Sequence, residues 1–188
     1  MSDLRVIKTK ALIKGAFIEL VEAKGFDNVT VKDICNKAMI NRNTFYLHYL
    51  DKIDLLTKLA NEVFLEQEST INLTGDIINT DNKERIIKAL TNILNVIYKE
   101  IEFYRVILLD SNMSGYISHF ESHLRHDFIK KLNLDYEKNK IELDYIFYGI
   151  SGVIKKWVIK DYSTIDELSL KLCDLLLSNH IFLQKEKA

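Results

Sequence analysis

Residues 41–49 concentrate side chains that can donate hydrogen bonds into nine positions. The stretch reads Asn-Arg-Asn-Thr-Phe-Tyr-Leu-His-Tyr, with aromatic rings between the polar groups. In a helix, Phe45 and Tyr49 lie four positions apart and share one inward face. The polar groups near the N-terminal and outward side are then Arg42, Asn43, Thr44 and His48. These groups suit phosphates and base edges in a DNA major groove, which is ~12 Å wide and admits one helix.

The residues before and after this stretch predict the short helices that would position it. An apolar stripe over residues 4–24 follows the helical period, and Gly25 offers a left-handed end to that helix. Thr30 can cap a second helix, with Asp33 complementing its positive end. Asn41 can cap the third helix, and Asp51 can cap a fourth, linking helix over residues 51–68. Two short helices joined by a tight turn are typical of a helix-turn-helix.

The rest of the chain predicts longer helices without strands. Residues 69–82 are polar and indicate a loop or hinge. Helical patterns follow near residues 83–109, 113–132, 138–161 and 164–184, the last opened by a Thr164–Glu167 capping box. No proline is present to interrupt them. We therefore expect an all-α chain with an N-terminal helix-turn-helix domain at 1–50 and a larger helical domain at 69–188.

Composition excludes several classes of protein. The formal net charge is −1, although residues 1–65 hold ten Lys and Arg against eight Asp and Glu, so charge alone does not indicate DNA binding. No apolar run is long enough to span a bilayer, and the N-terminus lacks the core of a signal peptide. Two distant cysteines, Cys35 and Cys173, indicate a reducing compartment. We expect a cytoplasmic protein without membrane association.

Residues 30–52 resemble the signature of the TetR family of transcriptional regulators, and the resemblance covers residues 5–60. The family signature consists of a threonine opening the second helix, an Ile-Ala pair, a short turn, a Thr-Phe-Tyr-x-His recognition helix and a following lysine, and this chain follows it with a few replacements. Met39 replaces the usual turn glycine, Cys35 the usual alanine, and Asn43 a common Gly or Ala. Residues 104–109 and 149–157 also resemble a subgroup of the family common in low-GC Gram-positive bacteria.

The resemblance implies a set of DNA contacts. The candidates for phosphate contact are Thr30, Thr44, Tyr46, Tyr49 and Lys52, and the candidates for base contact are Arg42, Asn43 and His48. Simpler roles stay open for several of them. Tyr46 and Tyr49 could be core aromatics, Thr30 could be a helix cap alone, and Lys52 could be a solvated charge.

A single recognition helix contacts little DNA, so helix-turn-helix proteins generally bind as dimers to paired half-sites. Residues 145–159 are apolar on nearly every side at their N-terminal end, unlike a surface helix. We expect a four-helix homodimer interface, as in the family, whose candidate residues are Gly149, Gly152, Val153, Leu168, Leu172, Leu175 and Leu176. The two glycines could also be tolerated within a core helix.

The helical domain is rich in aromatic residues, which commonly line a pocket for a small effector. The candidate pocket residues are Phe103, Tyr104, Phe120, Tyr145, Tyr148 and Trp157, although any one of them could belong to the core. Effector binding would shift the population of conformations of the helical domain. Residues 61–70 would transmit this change to the DNA-binding domain and alter the spacing of the two recognition helices.

These observations predict an effector-responsive repressor that binds a palindromic operator as a dimer. An alternative is a coactivator or adaptor of the same fold that acts through a protein partner. A metal-responsive regulator is a further alternative, because His119 and His123 lie four apart, the spacing of a metal clip. The chain lacks phosphate-binding glycine loops and nucleophile motifs, so we expect neither an enzyme nor a bound cofactor.

Overall fold

The computed structural model describes residues 4–78, 82–110 and 136–178, and, between the last two ranges, residues 115, 117, 118, 121, 122, 125 and 126. Every regular element within these residues is helical, which confirms the all-α prediction. The helices are α1 (Leu4–Lys24), α2 (Val31–Lys37), α3 (Arg42–Tyr46), α4 (Lys52–Ile78), α5 (Lys83–Lys99), α6 (Ile101–Leu109), α7 (Lys140–Lys160) and α8 (Ile165–Ser178), with a 3-10 turn at Phe26–Asn28. We call α1–α3 the head and α5–α8 the body.

The head is built on the predicted apolar stripe of α1. Ile13, Phe17 and Val21 are buried at successive turns of the helix. Gly25 follows α1 with φ of 77°, a backbone conformation that costs glycine little. The chain then folds back so that the Phe26 ring packs edge-on against Phe17, with 6.1 Å between ring centroids.

The predicted caps of α2 and α3 are present. Thr30 Oγ accepts a hydrogen bond from the Asp33 N–H at 3.2 Å, and the Asp33 carboxylate accepts one from the Thr30 N–H at 3.0 Å. Asn41 Oδ1 accepts from the Asn43 N–H at 2.9 Å. Met39, between the two helices, adopts φ of 54°. Met39 is 88% exposed, so its side chain meets no packed neighbour, but the left-handed backbone still costs roughly 1–2 kcal/mol in the absence of a glycine.

Two predicted boundaries are wrong. The helix that was expected to end near residue 68 continues to Ile78, so most of the predicted loop at 69–82 is helical. The stretch has no proline, and one glycine costs a helix only about 1 kcal/mol. The helix predicted over 83–109 is instead divided at Glu100, whose side chain forms an ion pair with Lys14 of α1.

The body packs onto the head and α4 through one continuous core. Helix α5 lies between α4 and α8, and α6 lies between α1 and α7. Phe103, Ile107 and Trp157 are fully buried in this core, which extends to Phe17 and Phe45 in the head. Most of the predicted helix 113–132, and residues 179–184 of the predicted last helix, lie outside the described residues. The Thr164–Glu167 capping box is present.

Candidate nucleic-acid interface

Two buried aromatic residues fix the orientation of the recognition helix α3. Phe45 is 0% and Tyr49 1% exposed, and their ring centroids are 5.5 Å apart. Because these rings point into the head, the opposite side of α3 and of the turn after it faces outward. The exposed side chains on that side are Arg42, Asn43, Tyr46, Leu47 and Leu50. The structure thus presents a mixed polar and apolar face on a single helix, the element that a major groove admits.

Most cations near this face already have acidic partners. Lys24 pairs with Asp33 at 2.8 Å, Lys37 with Glu19 at 2.6 Å and Lys58 with Asp54 at 2.9 Å. In contrast, Arg42 and Lys32 are exposed and form no ion pair with any other described residue. Their charges are therefore available to an external anion such as a phosphate.

Thr30 lies at the exposed start of α2 with its hydroxyl occupied. That hydroxyl donates to Asp33 Oδ2 at 2.7 Å in addition to its role as the cap. Hydrogen bonds from the Lys24 ammonium, the Thr30 hydroxyl and the Thr30 N–H hold the pKa of Asp33 well below its usual range. The capping role of Thr30 is thus established, and a phosphate would have to share its hydroxyl with Asp33.

The two tyrosines lie in different surroundings. Tyr46 is 53% exposed on the outward side, with its ring edge-on to Phe45. Tyr49 is part of the core, and burial raises the pKa of its phenol to about 12, with Glu62 and Asp54 adding to the effect. A phosphate cannot reach the Tyr49 hydroxyl in this arrangement. Of the two roles predicted for Tyr49, the structure therefore favours that of a core aromatic residue. Thr44 and His48 are half-buried at the flanks of the face.

Lys52 is half-buried, and its ammonium is hydrogen-bonded to backbone carbonyls of the turn after α1. Its Nζ donates to the Phe26 carbonyl at 2.9 Å and to the Asp27 carbonyl at 3.0 Å. The same ammonium lies 4.6 Å from the centre of the Phe26 ring. Lys52 therefore joins the start of α4 to the turn after α1, a role that the sequence did not indicate.

Sequence reasoning missed four exposed residues of the head. Met39, Leu47 and Leu50 are each more than three-quarters exposed, and Lys32 is exposed on α2. Helical spacing could have found Leu47, since it lies four positions after Asn43 and opposite the buried Phe45. Polar character alone drew attention to His48 instead.

The predicted effector residues are not brought together in the described part of the chain. Phe103, Tyr104 and Trp157 are buried core residues, whereas Tyr145 and Tyr148 are more than half exposed. Phe120 lies outside the described residues. An open depression of about 570 Å³ borders Trp157, where Tyr98 and residues 161–167 form its walls.

The predicted dimer residues also divide into two groups. Leu168 and Leu172 are buried within the protomer, on the helix that packs against α5, so they are corrected to core residues. Val153 and Leu176 are half-buried against the same core. Gly149, Gly152 and Leu175 are exposed, and among the described residues no atom outside the local backbone of α7 would lie within 4 Å of a Cβ added at either glycine. Ile141, Tyr145 and Tyr148 extend the exposed side of α7.

Neither a metal site nor a membrane segment is found where the structure is described. Those residues contain no group of three metal-binding side chains, and His119 and His123 lie outside them. None of the described helices is long and apolar enough to cross a membrane.

Comparisons with known proteins agree with this architecture. Residues 13–59 match the model of the tetR family of bacterial regulatory proteins. Over 55 residues the chain is 40% identical to the uncharacterised HTH-type transcriptional regulator YxbF of Bacillus subtilis, a match that spans 29% of this chain and 14% of that protein. Over 178 residues it is 23% identical to DhaS of Lactococcus lactis, the HTH-type transcriptional activator of the dhaKLM operon, covering 92% of this chain and 90% of DhaS.

The fold extends the similarity beyond the head. A crystal structure from Syntrophomonas wolfei, assigned to the TetR family, superposes with a TM-score of 0.68 at 17% identity, covering 94% of this chain and 96% of the other. The fold and the outward face of α3 define an all-α helix-turn-helix protein. Residues 13–59 thus match the tetR family of bacterial regulatory proteins, and the chain shares the fold of solved structures assigned to that family.

Proposed function

We propose that the chain binds a palindromic DNA operator as a homodimer and represses transcription until a small effector binds to the body. The observation that carries the proposal is the outward face of α3, where Arg42 is exposed without an ion pair to any described residue while Phe45 and Tyr49 hold the helix in the core. A cationic, rigidly held helix face is what groove recognition requires.

The exposure of each side chain suggests how the contacts divide. We assign base edges to Arg42 and Asn43, at the start of α3, with His48 as a flanking candidate. Phosphates are assigned to Tyr46, Thr44, Thr30 and Lys32, since phosphate contacts position the protein without reading sequence. Leu47 offers an apolar contact for a thymine methyl group. Lys52 supports these contacts from within by fixing the turn after α1.

The exposed side of α7 supports the dimer. Ile141, Tyr145 and Tyr148 are large apolar or aromatic side chains that face solvent in the protomer, and Gly149 and Gly152 leave room between them. A second copy of α7, together with Leu175 of α8, would cover this side. Association would place two recognition helices on half-sites about 34–36 Å apart.

Selection of bound fragments from genomic DNA by the full chain tests the proposal, with and without candidate effectors. We expect an enriched palindrome for the unaltered protein. Arg42→Ala should cost about 1–3 kcal/mol and relax the preference at one base position. In vitro transcription from a selected promoter decides between repression and the activation named for DhaS.

The exposed Met39, Leu47 and Leu50 side chains favour one second candidate, an adaptor that contacts a protein partner through the head. The same selection separates the two functions. The absence of any enriched palindrome would refute the operator proposal and leave the adaptor.

A further inference from the structure

Both polar atoms of the Phe26 backbone are held by side chains from distant parts of the chain. The Phe26 N–H donates to Asp110 Oδ2 at 2.9 Å, and Asp110 directly follows α6. The Phe26 carbonyl accepts from Lys52 Nζ at 2.9 Å, and Lys52 is the first residue of α4. A single residue of the head is therefore joined to both the linking helix and the body.

The turn that contains Phe26 is held by its backbone conformation and by contacts of the Phe26 ring. Gly25 holds φ of 77°, a conformation that other residues adopt only with strain, and a Cβ added there would lie 4.0 Å from Asp110 Oδ2. The Phe26 ring is packed between the Phe17 ring and the Lys52 ammonium. Because Phe26 is joined to Asp110, Lys52 and Phe17 at once, a displacement of Asp110 would act on the turn between α1 and α2.

Helix α6 connects this turn to the body. At its start, Glu100 forms an ion pair with Lys14 in the middle of α1, and at its end Asp110 binds Phe26. A nine-residue helix is about 13 Å long, so two polar contacts that far apart set the direction of α6 against α1. From α6, Arg105 Nε donates to the Val158 carbonyl of α7 at 2.8 Å.

We propose that Asp110 is a positioning residue that fixes the orientation of the head on the body and thereby the separation of the two recognition helices in the dimer. The inference rests on the proposed function. Without the Asp110–Phe26 hydrogen bond, the Lys14–Glu100 ion pair and the apolar core still hold the head, but the end of α1 is free to shift. The dimer then tolerates half-site separations that the unaltered protein rejects.

The test compares Asp110→Ala, Asp110→Asn and the unaltered full chain, with Glu84→Ala as a control that removes an exposed carboxylate elsewhere on the body. Hydrogen exchange of the Phe26 amide, measured without DNA, reports the hydrogen bond itself. Binding to operators whose half-sites are moved apart or together by one base pair reports its consequence. Each base pair turns one half-site by about a tenth of a helical turn relative to the other.

For Asp110→Ala we expect faster exchange at Phe26 and weaker binding at the best spacing. The loss in affinity should be about tenfold and cannot exceed about 100-fold, because one lost hydrogen bond to a charged group limits the loss of preorganisation. The penalty for a one-base-pair shift should also shrink. Asp110→Asn keeps an acceptor oxygen and should stay within about threefold of the unaltered protein. The control should match the unaltered protein in both measurements.

Unchanged exchange at Phe26 in Asp110→Ala would overturn the inference, and so would faster exchange with an unchanged spacing profile. If Asp110→Ala does not fold, Asp110→Leu, similar in shape to Asn but without an acceptor, replaces it in the comparison with Asp110→Asn. Failure of the unaltered chain to select any palindrome is a different result, because it refutes the proposed function without involving a variant.

Discussion

At the scale of single residues, Tyr46 and Tyr49 provide a matched pair, since the same hydroxyl lies outside the core in one and inside it in the other. Replacing Tyr46 by Phe should weaken DNA binding by about 0.5–1.5 kcal/mol for all sequences alike, because a phosphate contact carries no base information. Replacing Tyr49 by Phe should leave DNA affinity unchanged, because that phenol is buried. Fluorescence anisotropy over a range of salt concentrations measures both. The opposite order of effects would place Tyr49 at the interface.

Leu47 makes a second prediction at this scale. Its side chain is 79% exposed on the outward face, and a leucine there can contact the methyl group of thymine. Replacing each operator thymine by uracil removes only that methyl group. One such replacement should cost the unaltered protein about 1 kcal/mol.

In Leu47→Ala, replacing that thymine by uracil should no longer reduce the affinity for the operator. In Leu65→Ala, which shortens an exposed leucine of α4, the reduction should persist. Equal uracil penalties in Leu47→Ala and the unaltered protein would rule out the contact. A loss of binding to all operators would instead indicate that Leu47 supports the head structurally.

At the scale of elements, the sequence predicts helix ends best where residues close in the chain determine them. The caps at Thr30, Asn41 and Thr164 join atoms two or three positions apart, so their residue types suffice to predict them. The break at Glu100 coincides with an ion pair to Lys14, which is 86 positions away and cannot be found from neighbouring residues. The continuation of α4 to Ile78 likewise overrides a polar composition that is typical of a loop.

The capping box at the start of α2 makes stability depend on pH. The pKa of Asp33 is lowered in the folded chain, chiefly by its hydrogen bonds to Lys24 and Thr30. The ionised carboxylate therefore stabilises the fold above its ordinary pKa of about 3.9, and this contribution is lost as the pH falls below that value. Asp33→Asn lacks the contribution at every pH, so its stability should vary less between pH 6 and pH 3.

Urea unfolding midpoints across that range measure the effect, with Asp166→Asn as a control that removes an exposed first-turn carboxylate of α8. Part of the acid sensitivity should remain in Asp33→Asn, because the pKa values of Asp54 and Glu167 are lowered in the same direction by their own hydrogen bonds. A slope identical to that of the unaltered protein would contradict the assignment.

At the scale of the whole molecule, the head was more predictable than the body for a physical reason. The spacing of a helix-turn-helix is contained in about 20 consecutive residues, and its buried positions are set locally. Helices α7 and α8 carry apolar residues on more than one side, so their sequence does not indicate which side meets the protomer core. Packing of α8 against α5 buries Leu168 and Leu172, and packing of α7 against α6 leaves Tyr148 exposed.

The split between buried and exposed apolar residues on α7 and α8 determines which variants should disrupt the proposed dimer. Tyr148→Glu introduces a charge on the exposed side of α7, where it faces solvent in the protomer but would be buried by a second copy. Because an unpaired buried carboxylate costs several kcal/mol, we expect the dimer to dissociate at least ~100-fold more readily while the protomer stays folded. Sedimentation velocity over a dilution series measures the dissociation.

The same variant should lose affinity for the full palindrome and keep its weak affinity for one half-site, since the head is unaltered. Asn95→Glu adds the same charge to an exposed position of α5 and should remain dimeric. A Tyr148→Glu protein as dimeric as the control would exclude the exposed side of α7 as the interface. If it stayed dimeric but lost palindrome binding, α7 would instead affect DNA recognition through its contact with α6 at Arg105 and Val158.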